Sequence, residues 1–378
     1  MSIVVQKYGG SSVADVEKIR AVAHRIEAKV KEGHQMVVVV SAMGNTTSEL
    51  IHLAHQVSPN PDRRELDMLI STGERIAMAL LAMALVDLGI AAQSLTGSQS
   101  GIITDESHSD AKVLEVRPDR VRSVLERGQV AIVAGFQGVS RSREVTTLGR
   151  GGSDTTAVVL AAALEAEYCE ICSDVDGVWS ADPRIVSGAE KLDVLSLESA
   201  LSLARGGAKV LFEDAVRFAR DNGVEIQAAR TFGPGSGTRL TVDSEVQSEA
   251  VAVAGDGQLV RLEGAAWQTE KCLLEITGLG GRFRRQVGDS IYVDVRNVHG
   301  DLWTVPPGAS ISRDLALVTA VSPGLGEQML RVAEWTSRLL GSGIDVRRHG
   351  AAGDTAWWEI AEGNLDEALN VVHAAAQN

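Results

Sequence analysis

Aromatic side chains are scarce in this 378-residue sequence, at 4% of positions. That leaves no stacking platform on which unpaired nucleobases could be read. Basic residues are outnumbered, 36 Lys and Arg against 50 Asp and Glu, for a net charge of −14. Such a surface repels nucleic acid and anionic membranes as principal partners, although one local site can still oppose it and hold a phosphorylated ligand. Three cysteines, Cys169, Cys172 and Cys272, are too few for a disulfide framework. Cys169 and Cys172 form a C-x-x-C, but AEYCEICSDVDG reads as a strand, in which positions i and i+3 face opposite ways. No second pair completes a zinc site, so both are expected to be core residues and no protein metal site is expected. No apolar run is read as a membrane span, and MSIVVQKYGG reads as a strand entering a turn rather than a signal peptide, so a cytoplasmic location is expected. The Walker A pattern G-x-x-x-x-G-K-[ST] is missing. So is G-x-G-x-x-G after the first strand, which counts against a dinucleotide-dependent dehydrogenase.

What the sequence does contain is alternation. Over residues 1–240 strand and helix patterns follow one another as in an α/β protein with an open, mostly parallel sheet. SIVVQKYGG is a strand, and VADVEKIRAVAHRIEAKVKEG an amphipathic helix closed by Gly33. QMVVVVSAMG has the unbroken β-branched run of a strand covered on both faces. RRELDMLISTGERIAMALLAMALVDLG is apolar on more than one face and is expected to be buried helix, broken near Ser71-Thr72-Gly73. QVAIVAGFQGV, EYCEICSDVDG and VEIQAART read as further strands, and SDTTAVVLAAALEA as a helix with Ser153 or Asp154 near its N-cap. Several strands end in small residues: Gly9-Gly10-Ser11-Ser12, Ser41-Ala42-Met43-Gly44, Gly135-Phe136-Gln137-Gly138 and Ser173-Asp174. Ligands of open α/β sheets bind at the carboxyl ends of strands, where bare N–H groups and helix N-termini attract anions.

From residue 241 the texture changes. A linker is expected over 241–249, then a second region over 250–378. LALVTAVSPG, LGEQMLRVAEWTSRLLGSG, IDVRRHG, TAWWEIAEG and NLDEALNVVHAAA give a β-α-β-β-α order, the ferredoxin-like pattern of small ligand-binding and dimerising modules. Residues 250–310 show strand-like runs with no long helix expected between them.

The chemistry-bearing residues sit where the small-residue turns are. Lys7 precedes Gly9 and Gly10 and suits a polyphosphate as a point charge across a nest of N–H groups. In TTLGRGGSDTTA, Arg150 offers a planar fork for a carboxylate, and Asp154 could hold an ammonium or orient a lysine. Glu74, in STGER, is another candidate for an ammonium. A set answering both charges of an amino acid is harder to explain as surface ion pairs than any one member.

These residues carry a resemblance. Across residues 3–240 the segments KYGGSSV, VVVVSAMGNTTSEL, ELDMLISTGERIAMALLAMAL, TGSQSGIIT, AIVAGFQG, TTLGRGGSDTTA, SDVDGVWSADPR and GAKVL resemble, in order and spacing, the aspartokinases of the amino-acid-kinase family, most of all actinobacterial members. The resemblance implies that family's fold over 1–240 and phosphoryl transfer from Mg-ATP to the side chain of L-aspartate, giving 4-phospho-L-aspartate and ADP. It implies catalytic roles for Lys7, Asp154 and Lys209. It implies a substrate site of Ser41, Thr47, Glu74, Phe136, Thr147 and Arg150. It also implies a nucleotide site of Gly9, Gly10, Ser173, Asp174, Trp179, Arg184 and Lys209, with ATP and Mg2+ as cofactors. Trp179 stands where the family commonly has Tyr or Phe, keeping an aromatic wall.

After residue 250 the resemblance implies ACT-like, homodimer-forming modules. This region is shorter than usual for the family, and segments of the VLQN and SEIRIS type are not found. A divergent regulatory part, free of lysine and threonine control and serving a specialised pathway, is therefore expected. Two alternatives stay open: a family member acting on another amino acid or carboxylate, and a non-catalytic regulatory subunit. Against the second, Lys7, Arg150 and Asp174 are all retained.

Overall fold

The computed structural model describes all residues except 209, 243–250, 279–280, 297, 299–306 and 378. The expected linker, 241–249, falls almost wholly outside the described residues. Two compact units are found. The first takes the described residues of Met1–Val178, Asp193–Glu198 and Val210–Val246, and the second those of Trp179–Leu192, Ser199–Lys209 and Gln247–Asn378.

The first unit runs β1 (Ile3–Tyr8), α1 (Val16–Lys31), β2 (Gln35–Val40), α2 (Thr46–Val57), α3 (Arg63–Ile70), α4 (Thr72–Asp87) and β3 (Ala92–Leu95). It continues through β4 (Ile102–Thr104), β5 (Val113–Val116), α5 (Asp119–Glu126), β6 (Val130–Ala134), β7 (Gln137–Ser140), β8 (Val145–Thr147), α6 (Gly152–Leu164) and β9 (Tyr168–Ser173). After β10 (Val194–Ser196) and the start of α7 (Leu197–Arg205) come α8 (Glu213–Asn222), β11 (Ile226–Arg230) and β12 (Thr238–Thr241). The main sheet has the order β10-β12-β11-β9-β1-β2-β6-β3, parallel except between β11 and β12. A small sheet, β5-β4-β7-β8, stands apart from it.

Local chemistry explains these elements. The Asp15 side chain accepts the Lys18 N–H at 2.8 Å to cap α1, and Ile19, Val22, Ala23 and Ile26 form its buried stripe. Gly33 then takes φ +94° to turn the chain into β2. The valines of β2 are buried on both faces, as a central strand between helical layers requires. One layer packs Ile26 of α1 and Leu81 and Leu85 of α4 on Val4, Val38 and Ile132.

Several boundaries differ from expectation. The run 129–139 is two strands, because Phe136 at φ +68° turns the chain from β6 into β7 of the other sheet. The N-cap of α6 is Gly151 at φ +77°, leaving Ser153 and Asp154 inside the first turn. The stretch Arg63–Asp87 does reach membrane-spanning length and apolarity, yet it folds as α3 and α4 with one side in the core. Nor is α4 buried all round: Ile76, Met83 and Val86 are exposed.

The second unit contains β13 (Ala252–Glu263), α9 (Ala266–Gly278), β14 (Arg282–Val287), β15 (Ser290–Asp294), β16 (Ser310–Val321), α10 (Met329–Gly341), β17 (Arg348–Ala352), β18 (Thr355–Ala361) and α11 (Leu365–Ala376). Its antiparallel sheet, β14-β15-β13-β16-β18-β17, reads outward from a central β13–β16 pair as two copies of one β-α-β-β pattern. The helix α9 overturns the expectation of no helix within 250–310. Its core contact comes from Cys272 and Ile276, with Leu273 partly buried against them, while Leu274 is 73% exposed, so the apolar periodicity is short and broken in the sequence. The strand expected from IDVRRHG begins only at Arg348, although Ile344 is buried. Trp335 of α10 and Trp358 of β18, centroids 6.2 Å apart, anchor the main core.

Candidate active site

Register sets the site. Tyr8 lies opposite both Val40 and Cys172, and Val40 opposite Ala134. The next residues of β1, β2 and β6, Gly9, Ser41 and Gly135, therefore leave the sheet on one edge, beside Ser173, the last residue of β9. The ladder continues into this edge, with Gly9 N–H donating to Cys172 O (3.3 Å), Ser41 N–H to Tyr8 O (3.0 Å) and Gly135 N–H to Val40 O (3.0 Å). The chain proceeds from β1 to β2 on one side and reaches β9 on the other, so this edge holds a topological switch point.

Lys7 faces α6, on the same side of β1 as Val5. There its Nζ lies 2.6 Å from Asp154 Oδ1, with the two side chains 11% and 3% exposed. Asp154 is thus ion-paired with the lysine. The glycines serve close approach. A Cβ at Gly10 would stand 2.9 Å from Ala42 O, and at Gly135 2.7 Å from Ser153 Oγ, whereas one at Gly9 would make only ordinary contact with Lys7 Nζ at 3.6 Å.

Glu74 reaches the same edge from the first turn of α4. Gly73 makes this possible, since a Cβ there would meet Ala42 Cβ at 2.8 Å. Glu74 Oε1 accepts the Ala42 N–H at 3.1 Å, whereas Oε2 is buried without a hydrogen-bond partner. Burial pushes the carboxyl up to about 7, against the pull of backbone N–H groups. Such a carboxylate is set to receive a cation. Ser41 and Thr47, half-buried, flank the loop between β2 and α2.

The loop of Arg150 is held from beneath by a residue that sequence reasoning missed. Asp67 of α3 is fully buried and accepts Thr147 N–H (3.1 Å), Thr147 Oγ1–H (2.6 Å) and Ser109 N–H (3.1 Å), with His108 Nδ1 2.8 Å away. Thr147 is itself fully buried and spends its hydroxyl on Asp67. Beyond it, Gly149 and Gly151 at φ +70° and +77° swing the chain into α6 and leave Arg150 exposed. Phe136 is half-buried, its N–H donating to Thr156 Oγ1 at 3.1 Å.

Ser173 ends β9 on this edge and Asp174, exposed, follows it. Trp179 and Arg184 belong to the other compact unit, where Arg184 grips Asp182 at 2.9 and 2.6 Å and Trp179 bridges to Lys191. Lys209 lies outside the described residues. Cys169 and Cys172 are both free and buried.

A second feature escaped sequence reading. Beneath the Lys7 loop, Glu170 accepts Gln6 Nε2–H (2.5 Å) and Arg25 Nη2–H (2.6 Å), and Tyr8 Oη–H donates to Gln6 at 3.0 Å. Arg25 also donates to the carbonyls of Arg230 and Thr231, each at 2.9 Å, tying α1 to the end of β11. Gln6 and Glu170 stand opposite in the β1–β9 register, a pairing that topology creates.

Residues 2–228 match the family described as the amino acid kinase family. Aspartokinase of Mycobacterium tuberculosis is 56% identical over 239 residues, which make up 63% of this chain and 57% of that protein. The chain thus matches little more than half the length of such a relative. The crystal structure of aspartate kinase from Synechocystis is 31% identical, with a TM-score of 0.59, covering 100% of this chain and 69% of that one. Aspartokinase III of E. coli, solved with aspartate and ADP, shares the fold with a TM-score of 0.82 at 22% identity, covering 100% of both chains. An actinobacterial relative was expected from the motif forms, and the matched span is the one the sequence motifs occupy. By these matches the chain belongs to the amino acid kinase family.

Proposed function

We propose that this protein is an aspartate kinase, transferring the γ-phosphoryl group of Mg-ATP to the side-chain carboxylate of L-aspartate. The observation that carries the reading is the meeting, on one sheet edge, of a buried lysine oriented by Asp154 and a buried glutamate with one oxygen unmet. The first suits a phosphoryl group and the second an α-ammonium. Relatives named aspartokinase, matching over the kinase region, support the substrate.

In this reading Glu74 takes the ammonium, Arg150 the α-carboxylate, and Ser41 and Thr47 line the pocket. Phe136 and Thr147 shape the wall that carries Arg150. Lys7, with Gly9 and Gly10, receives the phosphoryl group. Ser173, Asp174, Trp179, Arg184 and Lys209 are assigned to the nucleotide, Lys209 also to catalysis. The nucleophile is a side-chain carboxylate, ionised near neutral pH, so no general base is required. Its oxygen forms a bond to the γ-phosphorus as the bond to the β,γ-bridging oxygen breaks, and ADP leaves with the electron pair. Alignment and charge neutralisation do most of the catalysis. Mg2+ would arrive on the phosphates, with Asp174 as a nearby carboxylate. Mg2+ would neutralise phosphate charge.

The second unit is read as an ACT-like region through which two chains pair. The presence of α9 removes one reason for treating its first half as degenerate. A cytoplasmic location accords with a substrate pair of free amino acid and ATP.

The test is hydroxamate trapping with purified protein, Mg-ATP and L-aspartate or L-glutamate. An aspartyl hydroxamate that, at sub-saturating aspartate, disappears in Arg150→Ala is the expected result. Product from another acid only, or none from protein that still binds ATP, would overturn the reading.

A further inference from the structure

One buried carboxylate of the first unit gathers donors from two loops. Asp67 Oδ1 accepts Thr147 Oγ1–H at 2.6 Å, and Oδ2 accepts Thr147 N–H at 3.1 Å and His108 Nδ1–H at 2.8 Å. Ser109 N–H lies 3.1 Å from each oxygen. A carboxylate only accepts, so the His108 proton sits on Nδ1 whatever the charge of the ring. His108 and Ser109 belong to the hairpin loop 105–112 between β4 and β5, and Ser109 takes φ +71°, a left-handed conformation that a serine keeps only at a cost. Thr147 ends β8, three residues before Arg150. The two loops also meet directly. Ala111 N–H donates to Thr147 O at 2.9 Å, and a Cβ at Gly149 would stand 2.6 Å from Asp110 Oδ1. Gly149, the neighbour of Arg150, thus turns against the hairpin loop. Asp67 has a further connection along its own chain. It lies on α3, which Ser71 joins to α4, and Glu74 follows in the first turn of α4.

We propose that Asp67 and His108 are positioning residues that set the spacing between Glu74 and Arg150. This rests on the reading in which those two take the ammonium and the α-carboxylate of one amino acid. The two ligand charges sit on a single carbon, so their receivers need one fixed span. Asp67 supplies it by gripping the Arg150 loop from the helix pair that carries Glu74. His108 and Ser109 fasten to the same carboxylate the hairpin loop that Gly149 turns against. Both residues act through Arg150 and need no contact with the ligand. Displacing a clamp by about 1 Å can cost on the order of 100-fold, so a tether at this distance from the chemistry has a measurable effect.

The test uses the full chain and varies His108, whose side chain is 18% exposed, rather than the fully buried Asp67. His108→Ala should raise the KM for aspartate about tenfold and leave kcat and the KM for ATP within about twofold. His108→Asn, whose amide can donate from the place of Nδ1, should recover most of the loss. In an Arg150→Ala background His108→Ala should add nothing to the aspartate KM, because the clamp it acts through is gone. A purely structural role would lower kcat through the folded fraction and leave both KM values alone. A second measurement needs no substrate: trypsin should cut after the exposed Arg150 faster in His108→Ala than in the native chain. Unchanged cleavage there would overturn the proposal. So would, in an active enzyme, an unchanged aspartate KM or an equal rise in the Arg150→Ala background. Native protein that forms no aspartyl phosphate would sink the kinase reading instead, and cleavage after Arg150 would then decide the tether alone.

Discussion

Lys7 Nζ stands 2.6 Å from Asp154 Oδ1, a strand-end lysine held by the first turn of the helix that passes over it. The pair is nearly dry, so its members are not interchangeable. Lys7→Met leaves Asp154 buried without its counter-charge and should cost roughly 3 kcal/mol by urea unfolding. Asp154→Asn keeps the shape but loosens the lysine; kcat should fall on the order of 100-fold with little change in the KM for aspartate. Arg150→Ala should instead act mainly through that KM.

Glu74 predicts a pH dependence. Its carboxyl is pushed up to about 7 by burial. Between the unfolded value and about 7 the folded protein holds a proton the unfolded chain has lost. This group's contribution is therefore most favourable at low pH and is lost as pH rises, by about 3 kcal/mol in total. Urea unfolding at pH 5 and pH 8 should show that slope in the native protein and a flatter one in Glu74→Gln. An ammonium needs the ionised form, so the KM for aspartate should fall from pH 6 to pH 8. In Glu74→Gln it should be high throughout.

Asp67 predicts a stability effect away from any ligand. Replacing it with alanine strands buried donors from Thr147 and Ser109 and should cost about 3–5 kcal/mol. Thr147→Val removes one donor and should cost about 1 kcal/mol. A thermal melt ranks the two, and equal melting points would contradict the arrangement.

Gly151→Ala should destabilise α6. The residue sits at φ +77°, and a Cβ would stand 2.2 Å from Phe212 Cγ. The backbone alone costs about 1 kcal/mol, before the ring is displaced. Adding Phe212→Ala should return part of the loss, which a double-mutant cycle measures as non-additivity.

Asp294 governs acid behaviour in the second unit. Burial raises its carboxyl, but hydrogen bonds from Arg296 and the charges of Arg296 and Arg284 overcome this and hold it at about 2. Its contribution is present above the ordinary Asp value and lost as pH falls toward 2. Tryptophan fluorescence, with Trp335 and Trp358 in this unit's core, should follow the loss, and Asp294→Asn should flatten it.

The legible parts of this protein were those written in short-range pattern. The valines of β2 announced a doubly covered strand, and Asp15 and Gly33 marked both ends of α1. The small residues at strand ends marked the edge where Gly9, Ser41, Gly135 and Ser173 emerge. Less legible was α9, whose core contacts are few, and the break at Phe136, where a positive φ moves the chain between sheets. Asp67 gave no signal, because its partners come from β8 and from the loop before β5.

By itself, then, the sequence determined most strands and helices of the first unit, the family, and the residue types at the sheet edge, since these rest on periodicity, turn chemistry and ordered motifs. Only the tertiary structure decided partnership. It joined Lys7 to Asp154, Glu170 to Gln6 and Arg25, and Thr147 to Asp67, and it left one oxygen of Glu74 unmet. The physical reason is that a buried charge is settled by whatever the fold brings within about 3 Å of it, across separations in sequence that no local pattern spans.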